Sequence, residues 1–145
     1  LATSEWRLMY YLAKLHPVLL TKVASAMASF YKALEELGVA NNVVTFTASD
    51  FGRTLTSNSS GSDHGWGSMQ FVMGGGVKGK NFYGQSPVFA NNGPDDFGQG
   101  RLVPSTSVDQ LAATMATWFG VSNANLRDVM PSIVNFSQKN LGFMA

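Results

Sequence analysis

The sequence predicts an α/β fold, a short, mostly parallel sheet flanked by helices. A helical period of apolar residues runs from Val18 to Gly38, a nearly continuous apolar run follows at 43–47, and a second helical pattern starts near Ser107. Continuous apolar strands are typical of parallel sheets that helices cover on both faces. With 145 residues, of which 45% are hydrophobic and 13% charged, we expect a single domain over 1–145.

The first helix is predicted to start at Val18, after Pro17, and to end at Gly38. Its apolar residues step by three and four, which places them on one face that we expect to pack in the core. These residues are Leu20, Val23, Met27, Phe30, Leu34 and Leu37. The preceding segment, 1–16, is apolar and aromatic with a looser helical period.

Two strand candidates follow the first helix. The run VVTFT at 43–47 is rich in β-branched residues, and SMQFVMGG at 68–75 has a similar composition. A helix, a short turn and a buried strand make half of a βαβ unit, which favours a parallel arrangement.

The second half of the chain is predicted to hold a long loop and then helices. Residues 85–104 contain three of the five prolines and show little periodicity, which indicates an ordered surface loop. Thr106 or Ser107 can cap the next helix, with Asp109 or Gln110 completing a capping box. A short helix opened by Asn123 and an apolar tail that packs back on the body are expected after it.

Several classes of function are excluded by composition. The net charge is +1 and the ten basic residues are scattered, so no nucleic-acid partner is expected. No apolar run approaches the roughly 18 residues of a membrane span. The chain has no cysteine, which excludes disulfides and thiolate metal sites. The stretch GGGVKGKN at 74–81 has the spacing of a phosphate-binding loop, but Asn81 replaces the required Ser or Thr, so no nucleotide cofactor is expected.

The candidate functional site is the polar loop from Asp50 to His64. Asp50 comes just after the strand at 43–47, at the edge where open α/β sheets bind ligands. Asp63 and His64 stand side by side, and carboxylate with imidazole suits zinc, manganese or iron. Arg53 could face an anion with its planar fork. The alternative is a polar surface loop, because the chain has only two histidines and metal sites usually use three protein ligands.

The motifs ASDFGRT and DHGWG, together with NGPDDFGQGR and NFSQKNLGFM, resemble a known family. The resemblance covers roughly residues 18–144 and is to the C-terminal part of the bacterial domain-of-unknown-function 1501 family. That family is related to the alkaline phosphatase and sulfatase superfamily. The resemblance implies an alkaline-phosphatase-like fold with metals at strand ends. It also implies a periplasmic or secreted protein exported by the twin-arginine route, whose full-length relatives are considerably longer than this chain.

The resemblance implies that Asp50, Asp63 and His64 are ligands of a divalent metal and that Arg53 binds substrate. The chain would then be a portion of a metal-dependent hydrolase of phosphate or sulfate esters, acting on a small anionic ester. The Asp-Thr-His motif that relatives carry before the first helix is missing from 1–16, which makes this segment atypical. We therefore expect the chain alone to be inactive or incomplete, with no assigned catalytic residue, and to partner a missing N-terminal half or to self-associate. The alternative is a non-catalytic structural or assembly module derived from the same fold.

Overall fold

The structure, a computed structural model, describes residues 2–58 and 61–145, and within them the side chains from residue 13 onward. In chain order the elements are α1 (Ala2–Glu36), β1 (Val44–Phe46), β2 (Gly52–Asn58), β3 (Gly61–Gly65), β4 (Val72–Gly74), α2 (Val108–Trp118) and α3 (Leu126–Val129). Short 3-10 turns occupy Ala40–Asn42 and Pro131–Asn135.

Helix α1 runs for 35 residues and continues through Pro17. The predicted break at Pro17 is therefore wrong. Proline inside a helix removes one backbone hydrogen bond and costs about 3 kcal/mol. The Thr21 hydroxyl donates to the Pro17 carbonyl at 2.7 Å, which adds a polar contact one turn further along. The helical backbone includes most of the atypical segment 1–16, although the side chains of its first twelve residues lie outside the described ones.

The apolar face of α1 does not pack in the core as predicted. Leu34 is buried at 7% exposure and Met27 is half-buried. The remaining residues of the predicted face are exposed, namely Leu20, Val23, Phe30 and Leu37. The core-packing prediction is thus wrong for most of this face, because these four side chains stay largely exposed in the described part of the chain. Among the described residues, no helix is long and apolar enough to cross a membrane.

The strands form two separate antiparallel pairs. β1 pairs with β4, with Val44 opposite Gly74 and Phe46 opposite Val72. β2 and β3 form a hairpin in which Arg53 lies opposite His64. The fold is mixed α and β as predicted, but the prediction of a mostly parallel sheet is wrong for the described strands. Parallel neighbours need a crossover connection, usually a helix, whereas the chain between β1 and β4 holds the β2–β3 hairpin instead.

The hydrophobic core lies under α2 and α3. Ala113, Leu126, Met130 and Ile133 form a buried cluster. Ser107 caps α2, and its capping box with Gln110 confirms that part of the prediction. The helix after it begins at Leu126, three residues later than the predicted start at Asn123.

The C-terminal tail packs back on the body, as expected from its apolar sequence. Phe143 and Met144 are buried. The Lys78 N–H donates to the Phe143 carbonyl at 2.8 Å, and the Ala145 N–H donates to the Gly76 carbonyl at the same distance. The tail therefore ties the segment after β4 to the region around α2. The assignment of 1–145 to one domain stays a prediction.

Candidate functional site

The β2–β3 hairpin places Arg53 and His64 on one exposed face. The two residues are directly opposite in the antiparallel register, so their side chains project to the same side of the hairpin. Phe51 lies against both of them. Its ring stacks on the His64 imidazole with centroids 3.5 Å apart and planes 13° apart, and the Arg53 guanidinium carbon lies 5.3 Å from its centroid. We call Phe51, Arg53 and His64 the Arg53 face.

Arg53 is held in place by its own hairpin. One of its terminal nitrogens, Nη1, donates to the Ser62 carbonyl at 2.7 Å. Guanidinium carries five N–H donors, so this bond leaves the larger part of its donor capacity for a ligand. Arg53 and His64 are both exposed, and Phe51 between them is half-buried.

Asp63 lies on the opposite side of the hairpin from His64. Successive residues of a strand point to opposite faces. The Asp63 carboxylate accepts a hydrogen bond from the Asn58 amide at 2.6 Å, and the Asp63 N–H donates to the Thr54 hydroxyl at 3.1 Å. Asp50 is exposed and precedes the hairpin by two residues.

The described residues do not bring the three predicted metal ligands together as one group. Metal sites in proteins usually use three or more protein ligands. The part of the chain that the structure describes contains no group of three or more His, Asp or Glu side chains that could hold one. Adjacent strand positions also turn Asp63 and His64 away from each other. Metal ligation by Asp50, Asp63 and His64 stays a prediction without support from this geometry.

Glycines in the motifs ASDFGRT and DHGWG let backbone segments approach each other. A β-carbon at Gly52 would overlap the Gly67 carbonyl, and one at Gly65 would lie 2.9 Å from the Arg53 carbonyl carbon. A β-carbon at Gly67 would lie 3.2 Å from the Leu102 carbonyl oxygen. The sequence predicts that Gly61, Gly65 and Gly67 let the backbone approach a bound group closely. In the structure, Gly65 and Gly67 make room for the protein's own backbone.

The long loop at 85–104 supports the hairpin from one side. The Leu55 N–H of β2 donates to the Gly100 carbonyl at 2.9 Å. The ring of Trp66, just after β3, lies 4.9 Å from the ring of Phe97 in the loop. The loop is therefore ordered, as predicted, and it fixes the position of the hairpin that carries the Arg53 face.

Asp96 organises the interior of this loop. Its carboxylate accepts hydrogen bonds from the Asn92 and Gly98 N–H groups, each at 2.8 Å. The Asn92 N–H is the main cause that lowers the pKa of Asp96, followed by the N–H groups of the turn at 98–101, while partial desolvation acts in the opposite direction. The ionised carboxylate of Asp96 thus joins the two turns of the loop that contain Asn92 and Gly98.

Sequence reasoning missed Phe51, Trp66 and Phe97. Phe51 and Arg53 alternate around Gly52 in the motif SDFGRT, and such alternation is the signal that could have placed them on one face. The contacts of Trp66 and Phe97 depend on how the long loop folds, for which the sequence offers no local signal.

Residues 10–130 match the family model described as "Protein of unknown function (DUF1501)". The matched range includes the hairpin, the long loop and α2. No curated protein and no solved structure matches the chain.

Proposed function

We propose that this chain, which belongs to the DUF1501 family of proteins of unknown function, contributes an anion-binding part to a hydrolase of phosphate or sulfate esters. The relationship to the alkaline phosphatase and sulfatase superfamily, the alkaline-phosphatase-like fold and a periplasmic or secreted location belong to the same proposal. The motifs of this chain at Asp50–Arg53 and Asp63–Gly65 support the relationship to that superfamily.

The observation that carries the proposal is the cross-strand pair of Arg53 and His64 on one exposed face. Phosphate and sulfate groups present several acceptor oxygens, which the planar fork of arginine can bind in pairs. Histidine adds a ring N–H donor. The Asp63 carboxylate would repel an anion, but it projects to the other side of the hairpin and is engaged by Asn58.

The role of this face is to bind and orient the anionic group of the ester. Arg53 would hold two of its oxygens, and His64 would donate to a third. Phe51 keeps both side chains in place through its stacking contacts. Hydrolysis also needs a nucleophile or an activated water, and we assign neither to this chain, which is expected to show no turnover alone. Because the geometry gives no support to metal ligation by Asp50, Asp63 and His64, no metal-dependent step is assigned to them.

The proposal is tested by calorimetric titration of the chain with inorganic phosphate, sulfate and phenyl phosphate. Wild type is expected to bind, and Arg53→Gln is expected to weaken binding by about tenfold, because a hydrogen bond to a charged group contributes roughly 1.5–3 kcal/mol. Arg127→Gln removes an exposed arginine from α3 and serves as the matched control. Equal affinity in wild type and Arg53→Gln would contradict the proposal.

The second candidate function is a non-catalytic assembly module of the same fold. It is favoured by the exposed apolar face of α1, where Leu20, Val23, Phe30 and Leu37 are each 45–72% exposed. Apolar patches of this kind often mark surfaces that bind another protein. The titration separates the two candidates, because an assembly module has no reason to bind phosphate at Arg53.

A further inference from the structure

The long loop at 85–104 contains a reactive pair of residues, Asn92 and Gly93. Asn92 is the only asparagine of the chain that glycine follows. Glycine has no side chain to hinder its backbone nitrogen, so this nitrogen can reach the carboxamide of a preceding asparagine. Asn92 is exposed, and none of the described residues hydrogen-bonds to its carboxamide. The reacting group of Asn92 is therefore open to solvent.

The backbone turn at 90–93 keeps the Gly93 nitrogen engaged. Its N–H donates to the Ala90 carbonyl at 3.1 Å. Asn92 holds the third position of this turn with a φ of 57°, a conformation that asparagine tolerates better than most residues. Attack on the carboxamide requires that the Gly93 N–H lose its proton, and a hydrogen-bonded amide does so only after the structure opens locally. The folded turn therefore slows the reaction.

Asp96 holds this turn closed. Its carboxylate accepts a hydrogen bond from the Asn92 N–H at 2.8 Å, and its own N–H donates to the Gly93 carbonyl at 3.1 Å. These two bonds lie on either side of the peptide bond that joins Asn92 to Gly93. The same carboxylate also accepts from the Gly98 N–H at 2.8 Å, which ties the turn to a second part of the loop. Loss of the Asp96 side chain should therefore let the turn open more often.

We propose that Asn92 is a site of spontaneous deamidation and that Asp96 controls its rate. The Gly93 nitrogen loses its proton and bonds to Cγ of Asn92, the bond from Cγ to Nδ2 breaks, and ammonia leaves, so that a five-membered succinimide forms. Water then opens one of the two ring carbonyls and gives aspartate or isoaspartate. Water is the only co-reactant, and no atom is oxidised or reduced.

Either product disturbs the contacts of Asp96. Aspartate at position 92 adds a negative charge to the residue whose N–H binds the Asp96 carboxylate, and like charges repel. Isoaspartate also adds a methylene group to the main chain, which changes the geometry of the turn that Ala90 and Gly93 close. Deamidation should therefore loosen the loop and lower the thermal midpoint of the chain. The proposal does not depend on anion binding by the Arg53 face.

The first test follows deamidation at mildly alkaline pH by mass spectrometry of the tryptic peptide 81–101, whose fragments locate the modified asparagine. Native wild type is expected to convert about tenfold more slowly, or slower still, than wild type unfolded in urea. Asp96→Ala removes both acceptor oxygens and should convert several-fold faster than native wild type. Asp128→Ala makes the same change at an exposed site on α3 and, as the control, should convert like wild type.

A second measurement does not depend on the Asp96 variant. Asn92→Gly removes the carboxamide and accepts the positive φ at this position. Once half of the wild type has converted, its thermal midpoint should have fallen. The midpoint of Asn92→Gly, incubated for the same time, should stay constant.

Each other outcome overturns the proposal. Equal rates in native and unfolded wild type would show that the turn does not protect Asn92. A rate that Asp96→Ala leaves unchanged, or one that rises only because this variant has lost its cooperative melt, would contradict local control by Asp96. Conversion at another asparagine, or an equal loss of stability in wild type and Asn92→Gly, would exclude Asn92 as the site.

Discussion

The imidazole of His64 stacks on the ring of Phe51, with centroids 3.5 Å apart and an angle of 13° between the planes. This contact links β3, which contains Asp63 and His64, to the segment that precedes Gly52. The Arg53 guanidinium carbon lies 5.3 Å from the centroid of the same aromatic ring. One phenyl group therefore orients both side chains that we propose to bind an anion.

Replacing Phe51 is expected to disorder the Arg53 face while leaving the hairpin formed. Phe51→Ala removes an aromatic pair worth about 0.5–1.5 kcal/mol and a cation–π contact of about 0.5–1 kcal/mol. In proton NMR spectra the His64 ring signals should lose the shift that stacking on Phe51 imposes, and phosphate affinity should fall several-fold. Phe51→Tyr keeps the ring and should retain both properties. A His64 spectrum that Phe51→Ala does not alter would show that the stack is absent in solution.

Gly52 is expected to tolerate no side chain. Gly52→Ala would place a methyl group into the Gly67 carbonyl and force the two motif segments apart. Overpacking of this kind typically costs about 1–3 kcal/mol in the free energy of unfolding. Gly79→Ala is the matched control, because a β-carbon at Gly79 meets nothing within 4 Å. Urea denaturation measures the free energy of unfolding of both variants. Equal stability would mean that Gly52 and Gly67 are not in contact.

The cap of α2 is expected to contribute measurable stability. The Ser107 side chain accepts from the Asp109 N–H at 3.1 Å, and the Gln110 side chain accepts from the Ser107 N–H at 2.9 Å. Ser107→Ala should lower the free energy of unfolding by about 1 kcal/mol. Ser107→Asp keeps an acceptor oxygen at the cap and should stay close to wild type. A Ser107→Ala protein as stable as wild type would rule out the capping contribution.

The stability of the long loop is expected to depend on pH through Asp96. Its pKa is lowered in the folded protein, chiefly by the Asn92 N–H. Its stabilising effect is therefore complete above the unfolded pKa of aspartate, about 3.9, and is lost as the pH falls through the lower folded value. Wild type should exceed Asp96→Asn in thermal midpoint at pH 7, and the difference should shrink toward pH 3. A difference that stays constant over this range would contradict the role of the ionised carboxylate.

Local features of the fold could be predicted from the sequence. The capping box at Ser107 and Gln110 depends on residues three positions apart, and the sequence predicted it correctly. The strand at Val44–Phe46 was also predicted, because its β-branched composition is a local signal.

Long-range features could not be predicted in the same way. The direction of β1 relative to β4 depends on what the intervening chain does, and the hairpin within it replaces the expected crossover. The helical period of Leu20, Val23 and Phe30 predicted a helix correctly, but a period shows only that a face is apolar and not which surface covers it. This is why the expected burial failed on α1.

The sequence predicted the residue types of the candidate site but only part of its geometry. Arg53 and His64 were selected as functional candidates, and the structure brings them together through the hairpin register. The separation of Asp63 from His64 follows from strand alternation, which the sequence reveals only once residues 61–65 are known to be a strand. The Phe51 stack required that register as well.

The most direct test of the central claim is where phosphate binds. Amide and arginine side-chain NMR shifts of the labelled chain, followed during titration with inorganic phosphate, locate the contact. We expect the largest shifts at the Arg53 side chain and at the amides of His64 and its neighbours in the hairpin, and their loss in Arg53→Gln. Shifts that lie elsewhere on the chain, or none up to the millimolar range, would contradict the assignment of the Arg53 face as an anion-binding site.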